Sequence, residues 1–159
     1  MTDQILLDQF KAAIFEALDE TFENVHGVYL DKGTSLFETL DTITAEIASQ
    51  PVSANCASIA AQVEHVRFSI DVVEQYMRGE SPGKVDWGEI WRTVEQVTPE
   101  EWQASKDRLN ESYRSLRSLL NSFDTWQGEY QIAGAMGIVI HTAYHLGEIR
   151  QALCTVSSH

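Results

Sequence analysis

Two histidines four residues apart, followed by a carboxylate, stand near the end of the chain. The segment HTAYHLGEIRQAL carries His141, His145 and Glu148 in an otherwise largely apolar stretch. Side chains at positions i and i+4 of a helix are neighbours on one face, so the two imidazoles can converge on one metal ion. Neutral histidines are also buried in cores without any metal. The spacing therefore predicts a helical pair whose role depends on a further ligand.

His65 is the candidate for that further ligand. It lies in the apolar segment SIAAQVEHVRFSIDVVEQYMRG, in a helical stripe with Phe68 and Val72, and we expect it to point toward a bundle interior or its mouth. Three histidines from two helices match the open, three-ligand arrangement that leaves one coordination position for water or substrate. The residues therefore leave two alternatives, a metal site and a group of hydrogen-bonded core histidines. In the metal site, zinc would lie about 2.0 to 2.1 Å from His65, His141 and His145.

Glu148 follows the histidine pair on the same stripe. A ligating imidazole usually donates its other N–H to a carboxylate or a carbonyl. Glu148 is therefore a candidate for accepting this N–H and thereby orienting a metal-ligating imidazole. The alternative is a carboxylate that is solvated or paired with Arg150 or Arg67.

Three aromatic residues are further candidates for contacts with the site. One lies between His141 and His145, and two lie in a long connection between predicted helices. Tyr144 projects from a neighbouring helix face and is predicted to pack. Trp87 and Trp91 belong to the connection RGESPGKVDWGEIWRTVEQ. We predict that they are buried anchors of this connection, because tryptophans are usually well buried; capping a pocket is the alternative.

The elements that position these residues are predicted to be helices. Apolar residues recur at helical spacing along most of the chain, and no alternating strand pattern, repeat or low-complexity tract is found. The predicted helices are one that fades near residues 23–27, a shorter one from a Ser35–Glu38 capping box to Pro51, a long one from Ser53 to Gly79, one that begins at Thr98, Pro99 and Glu101, and one from about Glu129 onward. This pattern predicts an all-α antiparallel four-helix bundle with short extra helices in the connections.

Length and composition favour one compact domain over residues 1–159. The net charge of −13 opposes binding to nucleic acid, because such binding depends on Lys and Arg at phosphates. The first residues are acidic and amphipathic, unlike a signal peptide, and no run is long enough to span a membrane. Cys56 and Cys154 are far apart and form no CxxC pair, which favours the reducing cytoplasm. Cys154 is predicted to be a small apolar filler.

The last predicted helix is apolar on two sides. One stripe contains Ile132 and Met136, and another contains Ile138, His141 and His145. A helix that is apolar nearly all round is buried on two fronts. We therefore expect a homodimer with this helix at or near the interface. The alternative is a monomer in which a covering loop buries the second front.

The run GIVIHTAYHLGEIRQAL, with SIAAQVEHVRFSIDVVEQYMRG and GTSLFETL before it, resembles the DinB-like superfamily. This DNA-damage-inducible family includes bacillithiol transferases and mycothiol-dependent maleylpyruvate isomerases, and the resemblance covers nearly the whole chain. It implies a four-helix bundle, often dimeric, whose metal is held by one histidine of the second helix and an HxxxH pair of the fourth. The resemblance thus assigns the metal to His65, His141 and His145.

Such a site would use a divalent metal, zinc or nickel, to activate an external low-molecular-weight thiol or water. Three neutral imidazoles leave the metal its positive charge, so a thiol at the open position would lose its proton near neutral pH. The expected activity is therefore metal-dependent thiol S-transfer or a related hydrolysis, in which the protein supplies no nucleophile. The alternative is a non-catalytic dimeric stress-response or binding module with a structural metal or none.

Overall fold

The structure is a computed structural model that describes residues 6–127 and 129–157. Within these ranges all regular structure is helical. The seven helices are α1 (Leu7–Phe22), α2 (Leu36–Leu40), α3 (Ala45–Ala48), α4 (Ile59–Met77), α5 (Glu89–Thr93), α6 (Pro99–Ser122) and α7 (Glu129–Val156). The predicted all-α class is confirmed.

Local hydrogen bonds begin α2 and α6 where the sequence predicts them. The backbone N–H of Ser35 donates to Glu38 Oε2 at 3.1 Å. At α6 the Thr98 hydroxyl accepts the Glu101 N–H at 3.2 Å, and the Glu101 carboxylate accepts the Thr98 N–H at 2.8 Å. Pro99 occupies the first helical position, where its missing N–H costs nothing.

The predicted single helix from Ser35 to Pro51 is wrong, because two short helices, α2 and α3, occupy this segment. The Thr42 hydroxyl donates to the backbone oxygen of Thr39 at 2.7 Å. The Thr44 hydroxyl then accepts the Ile47 N–H at 3.3 Å and begins α3. Threonine side chains that bond to nearby backbone groups in this way compete with the helical ladder and interrupt it.

The long helix that carries His65 begins later than predicted. Its first residue is Ile59 rather than Ser53, since the Ser58 hydroxyl caps it by accepting the Ala61 N–H at 3.2 Å. It ends as predicted, where Gly79 adopts the left-handed conformation with φ of 77°.

The long helices pack in the manner of a bundle around α4, which contacts both α6 and α7, while α1 contacts α7. The core between them contains stacked rings of Phe22 and Tyr113, whose centroids lie 4.3 Å apart. Both side chains are fully buried, together with Leu18 and Leu116. This packing joins α1 to α6.

A row of polar contacts sets the rotation of α4. Three carboxylates of α4 accept hydrogen bonds from three serines of α6, in the pairs Glu64–Ser105, Asp71–Ser112 and Glu74–Ser115. His65 is the next residue after Glu64 and therefore lies about 100° further round the helix. With the carboxylate face of α4 held toward α6, His65 is directed toward α7.

The two apolar stripes predicted for α7 are only partly buried. The face that contains Ile138, His145 and Ala152 is buried against the other helices. Ile132 and Met136, assigned to the other buried stripe, are 41% and 43% exposed. The single chain therefore buries α7 on one front and leaves an apolar face of this helix in solvent.

Across the described ranges, no helix combines the length and the apolar character that crossing a membrane requires.

Candidate metal centre

The structure brings together the three histidines that the sequence singles out. His65 on α4 faces His141 and His145 on α7, and one ring nitrogen of each lies within 4.8 Å of those of the other two. The Nε2 atoms of His65 and His141 are 3.1 Å apart. His65 and His145 are 8% and 6% exposed, and His141 is half-buried.

The donor set fits a divalent transition metal. Two nitrogens that each lie about 2.0 to 2.1 Å from a tetrahedral zinc ion are separated by about 3.3 Å, close to the distance between His65 and His141. Imidazole nitrogen is a ligand that zinc, nickel, copper and iron all accept. These three residues could therefore hold a metal ion.

Burial keeps the three imidazoles neutral near pH 7. Burial and, to a smaller extent, the neighbouring His145 and His65 together lower the pKa of His141 to about 4. The pKa of His65 is lowered by burial and by His145, and that of His145 is lowered by burial against an opposing effect of Glu148. Only the neutral ring has a lone pair for a metal, so the side chains are already in the ligating form.

Two residues behind His145 orient its ring. His145 Nδ1 lies 3.2 Å from Gln62 Oε1 and 3.1 Å from Glu148 Oε2. Both oxygens are acceptors, so we assign the ring proton to Nδ1. With the proton on Nδ1, the lone pair is on Nε2 and available to a metal. Gln62 was not predicted as part of the site. The sequence does contain a signal for it, because Gln62 lies one helical turn before His65 and therefore on a similar face of the helix.

The contact with His145 favours the first interpretation of Glu148 over an ion pair with Arg67. Arg67 instead pairs with Glu64 and Asp71. Tyr144 packs edge-on against the His145 ring, with centroids 5.1 Å apart, but its side chain is 62% exposed and its hydroxyl donates to Glu148 Oε1 at 2.8 Å.

The prediction that Trp87 and Trp91 are buried anchors is wrong, since they are 46% and 40% exposed. Trp91 lies against the His65 ring with centroids 4.3 Å apart, and Trp87 lies edge-on to Phe68. The segment around α5 therefore places Trp91 over His65 and Trp87 beside Phe68, which is the capping alternative. The local sequence contains no signal for these contacts, because each tryptophan is far along the chain from the α4 residue that it contacts.

A cavity of about 770 Å³ opens beside the histidine cluster. His145, Glu148 and Trp91 line it on one side, and Cys56 lines it from the segment before α4. Cys56 is exposed. Cys154 is exposed as well, so its prediction as an apolar filler is wrong.

Comparison with known proteins provides no relative on which to base a function. No family model matches the chain, and neither the curated proteins nor the solved structures include a match. The resemblance to the DinB-like superfamily is therefore a proposal, and the function is argued from the site.

Proposed function

We propose that this protein is a divalent-metal-dependent thiol S-transferase, or a related hydrolase, of the DinB-like type. In this proposal His65, His141 and His145 hold zinc or nickel, and the long helices form an antiparallel four-helix bundle. The proposal includes a cytoplasmic location, where low-molecular-weight thiols are reduced, and a homodimer. The observation that carries it is a cluster of three converging imidazoles beside an open cavity.

The open cavity favours chemistry over a purely structural metal. Structural zinc sites are closed by four protein ligands, whereas catalytic sites keep one position open. The cluster contains three histidines, and among the described residues no fourth His, Cys, Asp or Glu belongs to it. His145 borders the cavity of about 770 Å³, through which a small molecule can approach.

A bound metal would supply Lewis-acid chemistry that lowers the pKa of a thiol or water. The chain's own residues prepare the site for it. Gln62 and Glu148 hold His145 in one tautomer, and Trp91 shields His65 from solvent. In the transfer, the thiol proton passes to solvent and the sulfur bonds to the electrophilic atom. The leaving group departs with the electron pair of the broken bond.

The test begins with metal content. We expect His65→Ala, His141→Ala and His145→Ala each to reduce bound metal from about one ion per chain to a small fraction, since three ligands hold it. His26→Ala is the matched control, because His26 is exposed and bonds to Asp19 away from the cluster. Metal is measured by mass spectrometry on untagged protein whose folding is checked by circular dichroism. Unchanged metal content in the cluster variants would contradict the site.

The second step tests the reaction. We expect metal-loaded protein to accelerate conjugation of bacillithiol, mycothiol, glutathione or coenzyme A to an electrophile. Cys56→Ser and Cys154→Ser should retain this activity, since the thiol is external, whereas His141→Ala and His145→Ala should lose it. If the metal-loaded protein accelerates none of these reactions, the non-catalytic module with a structural metal replaces the transferase.

A further inference from the structure

A second, smaller cavity reaches the histidine cluster from a different position. Its volume is about 210 Å³, and it borders His141, whereas the large cavity borders His145 one helical turn later. Its walls are mainly apolar, with Ile70 and Val73 from α4, Ile138 from α7 and Trp87 from the connection.

One buried polar group in this cavity has no partner. Thr142 lines the cavity and is 1% exposed, and its hydroxyl makes no hydrogen bond within residues 6–127 and 129–157. The nearby Ser69 hydroxyl, in contrast, donates to the backbone oxygen of His65 at 2.8 Å. Buried hydroxyls are normally hydrogen-bonded, because burial without a partner is costly. The Thr142 hydroxyl is therefore available to a ligand.

The walls of the two cavities define different ligands. The small cavity has no Asp, Glu, Lys or Arg among its described lining residues, so it suits a neutral apolar group. The large cavity has more polar groups, because Asn55, Gln62, Glu148 and Gln151 line it beside apolar residues such as Val52 and Ala152, so it can hydrogen-bond a more hydrophilic molecule. Molecules held in the two cavities would meet at the adjacent ligands His141 and His145.

We propose that the small cavity binds the apolar part of the electrophile, an aryl or short alkyl group with one hydrogen-bonding oxygen that contacts the Thr142 hydroxyl. This assignment rests on the proposed thiol transfer for its role in a reaction, but the binding itself requires neither thiol nor metal. The hydrophilic thiol then occupies the large cavity. Such a division would bring sulfur and electrophile to the metal from two separate pockets.

Two glycines of α7 provide matched variants that fill one cavity each. Gly137 lines the small cavity and Gly147 the large one, and a Cβ added at either position meets no atom within 4 Å. Both lie inside a helix, where replacing glycine favours the helical backbone. Gly137→Leu and Gly147→Leu therefore add the same side chain to the wall of a different cavity. A third variant, Thr142→Val, removes the hydroxyl and keeps the shape.

The experiment measures binding of benzyl alcohol and toluene by the methyl NMR signals of Ile70 and Ile138. We expect both probes to shift these signals, and toluene to bind about three- to tenfold more weakly because it lacks the hydroxyl. Thr142→Val should remove that difference. Gly137→Leu should abolish binding of both probes, and Gly147→Leu should leave it unchanged. Circular dichroism and metal content confirm that each variant is folded and keeps the histidine cluster.

Each other outcome overturns a defined part of the inference. Absence of binding, or loss of binding in Gly147→Leu rather than Gly137→Leu, contradicts the cavity assignment. An unchanged preference for benzyl alcohol in Thr142→Val contradicts the role of the hydroxyl. Probe binding without any thiol transfer would leave the binding site valid and refute the transferase. Thiol transfer without probe binding would refute the cavity assignment alone.

Discussion

At the residue scale, one buried carboxylate holds the loop that follows α1. Glu20 is fully buried and accepts four backbone N–H bonds of 2.6 to 2.8 Å, from His26, Val28, Tyr29 and Leu30. Burial by itself raises the pKa of Glu20, but these hydrogen bonds outweigh it and lower the pKa to about 2. The charged carboxylate thus accepts hydrogen bonds from backbone N–H groups of the loop, which in a helix or a strand would bond to backbone oxygens.

The change Glu20→Gln should lower the free energy of unfolding by about 2 to 3 kcal/mol, since an amide replaces a charged acceptor. Because the folded pKa lies below the ordinary value of 4.5, the stabilisation is present above pH 4.5 and is lost as the pH falls toward 2. Urea titrations between pH 2.5 and 7 measure this. The exposed Glu16→Gln on the same helix is the control. An equal pH slope in wild type and Glu20→Gln would contradict the prediction.

Glu148 provides a second prediction at this scale. Its carboxylate lies 3.1 Å from His145 Nδ1, and removing the partner of a ligating imidazole typically weakens metal binding 10- to 100-fold. We expect Glu148→Gln to weaken zinc affinity by about tenfold, as measured by chelator competition. Tyr144→Phe, which removes only the hydroxyl bond to Glu148, should change the affinity far less. Equal affinities of wild type and Glu148→Gln would show that Gln62 alone orients the ring.

At the scale of single elements, hydroxyl caps decide where helices begin. The hydroxyl of Thr98 accepts the Glu101 N–H at the start of α6. Serines of α6 in turn donate hydrogen bonds to the carboxylates of α4. Thr98→Ala should lower the free energy of unfolding by about 1 kcal/mol, and Thr98→Ser should retain most of it. Urea denaturation followed by circular dichroism measures both. A loss in Thr98→Ser as large as that in Thr98→Ala would mean that the methyl group, rather than the cap, stabilises α6.

At the scale of the whole molecule, α7 has an exposed apolar face. Ile132, Met136, Ile140 and Tyr144 recur along it at helical spacing and are 41% to 64% exposed. Large contiguous apolar faces on soluble domains commonly mark interfaces. The symmetric packing of α7 against its copy would bury this face, which is why the homodimer belongs to the proposed function.

We expect the chain to be a dimer in light scattering and Ile140→Lys to shift it to a monomer, because a buried charge without a partner is costly. Val28→Lys is the control, since Val28 is similarly exposed, at 53%, but lies in the loop after α1. Monomeric wild-type protein across a wide range of concentrations would contradict the dimer. A dimer that Ile140→Lys leaves intact would place the interface elsewhere.

The sequence by itself determined the helical class, the ends of the helices that carry strong caps, and the pairing of His141 with His145 on one helix face. All of these depend on residues within one or two turns of each other. The capping pair Thr98–Glu101, the left-handed Gly79 and the shared face of His141 and His145 are local properties. Where local signals competed, as with the threonines between α2 and α3, the prediction was wrong because apolar spacing alone does not include side-chain bonds to the backbone.

Only the tertiary structure decided which of these residues meet. The approach of His65 to the histidines of α7 requires the packing of α4 between α6 and α7, and the placement of Trp91 over His65 requires the fold of the long connection. The same holds for the exposed face of α7, since periodicity shows that a face is apolar but not whether another helix covers it. Contacts between distant segments depend on how whole helices pack, and that information is spread over the entire chain.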